Sequence, residues 1–238
     1  MIVLAIDTCE ARGGVAIRRN GITASFQGHF DTSDYSEWLL PAVDQALNEA
    51  GAGMKQVDVL AAATGPGSFT GLRVGLTTVK AWAEIYDIPV VGISRLEAMA
   101  LPLVQTGRFV AALYDAQRGQ LFGALYSTES GRMERIGDEV VISPEGFVNI
   151  VTELAGRGPV NWVTLDPGLI VGLEIWKARE ACGDTVRTSQ PKLAAAIAEI
   201  AEERAGRREF SDPLELDANY VRRSDAEIFW KGNSSVVR

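Results

Sequence analysis

Both halves of this 238-residue chain open with paired strands around a tight turn and then continue into a helix and a further strand. In the first half, the continuous apolar run MIVLAIDT predicts a strand buried on both faces, and Asn20 and Gly21 predict a hairpin turn after it. In the second half, FVAALYDAQ and GQLFGALYS flank a turn at Arg118 and Gly119. This repeated order predicts a duplicated α/β unit, with the boundary between two lobes at residues 105–108.

Helical patterns follow the strands in both halves. The segment DYSEWLLPAVDQALNEAGA predicts a helix capped by Asp34 and ended near Gly51, with Pro41 either at its true start or at a kink. TGLRVGLTTVKAWAEIYD predicts a second helix, and PKLAAAIAEIAEERAGR predicts an alanine-rich one. We assign these parts to three regions: an N-terminal lobe at 1–104 with a returning helix at 190–206, a C-terminal lobe at 105–189, and a polar tail at 207–238.

Net charge and cysteine content limit which functions and which cellular compartment the sequence favours. The formal net charge of -8 argues against direct binding to nucleic acid, because phosphate contacts need clustered lysine and arginine. Cys9 and Cys182 form neither a disulfide framework nor a zinc-binding spacing. The apolar runs are too short for a signal peptide or a membrane span, so we expect a soluble cytoplasmic protein.

The segment GPGSFTGLR at residues 65–73 could either bind phosphate or shape the backbone. It lacks the lysine of a P-loop after its last glycine, and its glycine spacing also differs from G-x-G-x-x-G. The amides of a helix N-terminus can still attract an anion, so weak phosphate binding stays open. The structural interpretation is favoured: Gly65 and Gly67 permit unusual backbone angles, and Ser68 or Thr70 caps the next helix.

Five segments together resemble the bacterial TsaB (YeaZ) family. They are AIDT at 5–8, LLPAVD at 39–44, GPGSFTGLR at 65–73, IPVVGISRLEA at 88–98 and YVRRSDAE at 220–227. The resemblance implies an α/β protein with a two-lobed actin-like, sugar-kinase-like (ASKHA) fold, each lobe a mixed sheet flanked by helices. It also implies a non-catalytic partner of TsaD, acting with TsaE to make threonylcarbamoyladenosine on tRNA.

Few residues are candidates for catalysis, metal binding or cofactor binding. The resemblance places Asp7 where actin-like ATPases keep a carboxylate near phosphates and metal, but a strand-end Asp also commonly bonds to the following turn. The one histidine, His29, cannot form the histidine pair that holds the metal of TsaD, and in its polar segment we expect it to be solvated. We therefore expect no catalytic residue, no metal and no cofactor, with Asp7 as a weak candidate only.

Two helices carry the predicted partner interface. In the first, Leu40 and Pro41 widen the apolar stripe beyond the one face that packing on a sheet requires. In the second, Gly71 and Gly75 lie four residues apart, a spacing that lets another helix come close. The resemblance indicates the same region, because the family pairs with TsaD through helices of this lobe. The predicted interface residues are Trp38, Leu39, Leu40, Pro41, Val43, Gly71, Leu72, Gly75, Leu76 and Val79.

Two other functions stay open from the sequence alone. A stand-alone actin-like kinase or ATPase would bind ATP through Asp7, and a self-associating structural protein would use its apolar helices for a homodimer only. Tyr35 stands where the family often has a histidine, which leaves partner specificity open. The C-terminal RRSDAE either contacts a partner or nucleic acid, or is solvated.

Overall fold

The structure is a computed structural model that describes residues 1–29, 34–190, 192–219 and 221. The described residues form two five-stranded sheets. The first sheet contains β1 (Ile2–Asp7), β2 (Gly14–Arg19), β3 (Ile22–Gly28), β4 (Val59–Gly65) and β5 (Val90–Ser94). The second contains β6 (Phe109–Gln117), β7 (Gln120–Ser127), β8 (Glu134–Ile142), β9 (Val160–Thr164) and β10 (Thr185–Thr188).

Seven α-helices flank these sheets within the described residues. They are α1 (Tyr35–Glu49), α2 (Phe69–Tyr86), α3 (Arg95–Ala100), α4 (Pro144–Ala155), α5 (Gly168–Val171), α6 (Trp176–Ala181) and α7 (Leu193–Gly206). No helix in the part of the chain that the structure describes is long and apolar enough to cross a membrane.

The two sheets repeat one topology. The first has the strand order β3-β2-β1-β4-β5 and the second, written in the same sense, has β8-β7-β6-β9-β10. In each sheet the first three strands pair antiparallel, and the last two extend the sheet parallel to the first strand. This confirms the predicted duplicated α/β unit and the two-lobed actin-like fold. The boundary at residues 105–108 stays a prediction.

Local sequence signals account for most of the elements. β1 is buried along its whole length, as its continuous apolar run predicts. Asn20 and Gly21 have φ values of 50° and 85°, so both occupy the left-handed region that a tight two-residue hairpin turn requires. The Asp34 side chain caps α1 by accepting the Ser36 N–H at 3.1 Å, and Pro41 lies inside this helix rather than at its start.

The alanine-rich α7 covers one face of the first sheet, where it contacts β1, β2 and β4. Its small side chains let the helix lie close to the strands, and Ile197 and Ala198 are fully buried there. Arg18 on β2 forms an ion pair with Glu202 on α7, with 2.6 Å between Nε and Oε2. Helix α7 therefore belongs to the core of the first sheet, although all five strands of the second sheet precede it in the chain.

The sequence patterns did not predict α5, α6 or β10. These elements are short, and β10 reads TVRT with little buried surface, so it has neither the apolar run nor the alternation that identifies a strand. β10 forms because it pairs in parallel with β9 at the edge of the second sheet. Of the predicted polar tail, residue 220 and residues 222–238 lie outside the described residues, and so does nearly all of YVRRSDAE.

Candidate functional site

The glycine-rich loop lies directly on the residues that follow β1. The Ser68 N–H donates to the Cys9 carbonyl oxygen at 2.6 Å, and a Cβ atom at Gly67 would overlap the Cys9 backbone. The Ser68 side chain also accepts the Gly71 N–H at 3.4 Å and so caps α2, as the sequence predicted. These contacts support the interpretation that the loop shapes the backbone.

Gly71 and Gly75 on α2 face the end of β1 and Thr8 rather than a second helix. A Cβ atom at Gly71 would overlap the Thr8 carbonyl oxygen, and one at Gly75 would lie 2.5 Å from Thr8 Oγ1. Thr8 Oγ1 donates to the Gly71 carbonyl oxygen at 2.6 Å, which holds α2 against the end of β1. The prediction that this glycine pair lets a partner helix approach is therefore wrong, because the close contact is intramolecular.

We expect Gly71→Ala to lower the free energy of unfolding by about 1–3 kcal/mol, since the added methyl group must displace α2 from Thr8. The matched control is Gly206→Ala at the end of α7, where an added Cβ meets no atom within 4 Å. Urea denaturation of both variants checks the prediction. Equal midpoints for Gly71→Ala and the wild-type chain would show that α2 does not need this close approach.

Asp7, the weak cofactor candidate, is held by an arginine that the sequence analysis did not single out. Asp7 and Arg95 are 0% and 1% exposed, and Asp7 Oδ2 lies 3.2 Å from Arg95 Nε. Asp7 Oδ1 accepts the Cys9 N–H at 3.0 Å, which is the strand-end turn that the alternative interpretation predicted. The two carboxylate oxygens thus already have a cation and a backbone donor inside the protein.

This ion pair lies where the two lobes meet. The Arg95 guanidinium carbon lies 5.1 Å from the ring centre of Tyr114 on β6, close enough for a cation–π contact. The Tyr114 hydroxyl donates to the Pro66 carbonyl oxygen of the glycine-rich loop. Arg95 and Tyr114 therefore tie the end of the first sheet to the first strand of the second.

Burial controls the protonation of the groups around Arg95. Burial, with the neighbouring Asp7, raises the pKa of the Cys9 thiol well above its ordinary value, and burial likewise raises the pKa of Glu10. Burial alone would lower the pKa of Arg95, but Asp7 together with Tyr114, Cys9 and Glu10 outweighs burial, and the pKa is raised. Cys9 is consequently an uncharged thiol at neutral pH and a poor nucleophile.

His29 is buried, so the expectation that it is solvated is wrong. Its ring centroid lies 4.3 Å from that of Tyr35 and 5.0 Å from that of Trp38, and Nδ1 lies 2.9 Å from the Ala11 carbonyl oxygen. The Tyr35 hydroxyl donates to the Glu10 carbonyl oxygen. This aromatic cluster fixes the first turn of α1 against the loop after β1. Among the described residues, no three metal-ligating side chains lie together.

An open apolar groove of about 410 Å³ lies between α1 and α2. We call it the helix groove, and its lining residues are Tyr35, Ser36, Leu39, Leu40, Arg73, Val74, Thr77 and Thr78. Leu40 is 57% exposed although it is a large aliphatic residue. The Arg73 guanidinium stacks 3.8 Å from the Phe69 ring centre at the same face, so a cation borders the apolar surface.

The structure corrects much of the predicted interface. Leu40 and Pro41 are exposed and Trp38 is half-buried, so these three predicted residues are available to a partner. The others pack on the first sheet or against Thr8, because they lie on the inner faces of α1 and α2. The residues buried in this way are Leu39, Val43, Gly71, Leu72, Gly75, Leu76 and Val79. Arg73, Val74 and Thr77 also line the helix groove and were not singled out in the sequence, since a polar or β-branched residue does not stand out in an apolar stripe.

Comparison with known proteins relates this chain to two named kinds of protein, TsaD and TsaB. A family model described as TsaD, tRNA N6-adenosine threonylcarbamoyltransferase, matches residues 31–207. The tRNA threonylcarbamoyladenosine biosynthesis protein TsaB of Escherichia coli is 31% identical over 174 residues, which are 71% of this chain and 72% of that protein. TsaB of Bacillus subtilis is 32% identical over 136 residues, so the match spans 57% of this chain and only 59% of that relative.

A solved structure of a YeaZ-like protein resembles the fold of this chain. It is an uncharacterized Pseudomonas aeruginosa protein described as similar to peptidase YeaZ, with a TM-score of 0.75 and 25% sequence identity. The superposition covers 93% of this chain and 99% of that one. The likeness therefore extends over both lobes and includes the middle of the chain, where the sequence motifs are weak.

Proposed function

This chain belongs to the TsaB (YeaZ) family of tRNA threonylcarbamoyladenosine biosynthesis proteins, and on that premise we propose that it is an accessory subunit. It binds the catalytic subunit TsaD through the outer faces of α1 and α2. With TsaE, the resulting complex transfers a threonylcarbamoyl group to the adenosine beside the tRNA anticodon. The chain itself supplies a binding surface, and its partners supply nucleotide, metal and acyl donor.

The observation that carries this proposal is the helix groove. A large aliphatic side chain such as Leu40, exposed over more than half of its surface beside an apolar groove, is the pattern of an interface rather than of an isolated surface. Thr77 and Arg73 give the groove a polar border, as protein–protein interfaces commonly have around an apolar centre. Helices are also rigid, so the groove presents a fixed shape to TsaD.

The arrangement around Asp7 supports an accessory role over that of a stand-alone ATPase. A carboxylate that coordinates a metal or orients a phosphate must be open to it, whereas Asp7 is fully buried and paired with Arg95. Replacing that partner by a metal ion would first require the buried guanidinium to leave, which is costly in a closed interior. The proposed mechanism is differential binding, in which this chain stabilises one active conformation of TsaD.

The direct test is to mix the purified chain with its cognate TsaD and measure association by calorimetry and size-exclusion chromatography. We expect saturable heterodimer formation. A homodimer that persists and ignores TsaD would instead support a self-associating structural protein. Titration of the chain alone with magnesium and ATP tests the remaining alternative, a stand-alone kinase or ATPase. Saturable ATP binding that is lost in Asp7→Asn would support that alternative.

A further inference from the structure

A second cavity, of about 430 Å³, lies between the two lobes away from the helix groove residues. Its size is within the range of small-molecule sites. Both lobes line it: Ser94 and Glu97 come from the first, and Tyr126, Arg135 and Glu139 come from the second. With Arg204 of α7, the lining places two carboxylates and two guanidinium groups around one space.

Each guanidinium in this cavity is anchored but not fully used. Arg204 pairs with Glu97 at 2.6 Å and donates to the Gly92 carbonyl oxygen at 3.1 Å. Arg135 approaches Glu139 at 3.5 Å and donates to the Gly137 carbonyl oxygen at 3.2 Å. A guanidinium carries five N–H donors, so each arginine keeps donors for a further acceptor while its position is fixed.

The Tyr126 hydroxyl is a buried polar group that lacks a partner. Tyr126 is 2% exposed, and its hydroxyl lies near the Ser94 side chain but makes no hydrogen bond of good geometry within the described residues. Burial raises the Tyr126 pKa well above its ordinary value, so the hydroxyl keeps its proton at neutral pH. Because a buried hydroxyl without a partner is destabilising, a ligand that bonds to it removes that penalty.

The two carboxylates of this cavity are buried and interact with each other, although each already has a partner: Glu97 pairs with Arg204, and Glu139 Oε2 accepts a hydrogen bond from Asn219 Nδ2 at 2.6 Å. Burial raises the pKa of Glu97 and of Glu139, even though Arg204 and Arg135 act in the opposite direction. The charge of Glu97 adds to the rise at Glu139, so the two carboxylates repel each other across the lobe junction. A positive group placed beside both would relieve this repulsion.

We propose that this interlobe cavity binds a free α-amino acid. Its ammonium group lies beside Glu97 and Glu139, and its carboxylate accepts the spare N–H donors of Arg135 and Arg204, with the Tyr126 hydroxyl bonded to the ligand. A zwitterion suits the site because its lining has two positive and two negative groups, and a ligand of one sign would meet like charge. The proposal does not depend on the helix groove or on TsaD.

The test is calorimetry on the full chain with each of the common L-amino acids, followed by probes that lack one charge. We expect at least one amino acid to bind saturably with a Kd below about 1 mM. Ethanolamine, which lacks the carboxylate, and lactate, which lacks the ammonium group, should bind at least about tenfold more weakly. Absence of saturation by every amino acid up to about 10 mM would overturn the proposal.

Variants locate the site independently of the probes. Tyr126→Phe removes one hydroxyl and should weaken amino-acid binding about tenfold. Tyr86→Phe, at the exposed end of α2, is the matched control and should bind like the wild-type chain. Glu97→Gln should weaken binding of the amino acid and should not weaken binding of lactate, which has no ammonium group and is repelled by the Glu97 carboxylate. Unchanged amino-acid affinity in both Tyr126→Phe and Glu97→Gln would contradict the assignment of this cavity. Both variants should still bind TsaD, so a failed amino-acid site can be distinguished from a failure of the proposed accessory function.

Discussion

Leu40→Asp is expected to abolish association with TsaD while leaving the fold intact. The side chain is 57% exposed on the free chain, so an aspartate there remains hydrated and costs little stability. In the heterodimer the same carboxylate would be removed from water in the helix groove, where the lining cation, Arg73, is stacked on Phe69. Loss of a central apolar contact and burial of a charge together cost at least about 2 kcal/mol, which weakens affinity at least about 30-fold.

The measurement is calorimetric titration of TsaD with the variant, beside urea denaturation of the variant alone. The matched control is Leu154→Asp, which makes the same change at a 46% exposed position on α4 of the other lobe. This control should bind TsaD with wild-type affinity. If Leu40→Asp retains that affinity too, α1 does not form the interface, and the proposed docking surface is misplaced.

Arg95→Met is expected to lower the free energy of unfolding by about 3–5 kcal/mol, because it leaves the Asp7 carboxylate buried without its cation. Methionine has a similar length, so most of the packing volume is kept. The pair is almost completely buried, and solvent screening offsets little of this cost. Urea denaturation at neutral pH gives the difference directly.

The double variant Asp7→Asn with Arg95→Met distinguishes the ion pair from simple packing. The substituted asparagine side chain is uncharged but can still accept the Cys9 N–H, so the double variant should recover a large part of the lost stability. Losses that merely add, with the double variant less stable than Arg95→Met, would show that the charges are not coupled. That outcome would also remove the argument that Arg95 holds the Asp7 carboxylate.

Local signals in the sequence predicted most of the fold. The apolar run of β1, the hairpin turn at Asn20 and Gly21, and the Asp34 cap each act over a few residues, and each forms where it was expected. The strand β10 was missed because its four residues gain their stability from β9 rather than from their own pattern.

The sites depended on contacts between distant residues and were predicted less well. Nothing local marks Arg95 as the partner of Asp7, since the two are 88 positions apart in the chain. The spacing of Gly71 and Gly75 predicts a close approach but does not say what approaches, and in the structure it is Thr8. The stripe on α1 is wide, and only the position of the sheet separates buried Leu39 from exposed Leu40.

We propose above all that this chain activates TsaD through a surface and performs no chemistry alone. Reconstitution of threonylcarbamoyl transfer onto unmodified tRNA, with TsaD and TsaE, tests it most directly. We expect strong modification with the wild-type chain, little without it, and little when Leu40→Asp replaces it. Equal modification in the absence of the chain, or turnover of a substrate by the purified chain alone, would contradict the proposed accessory role.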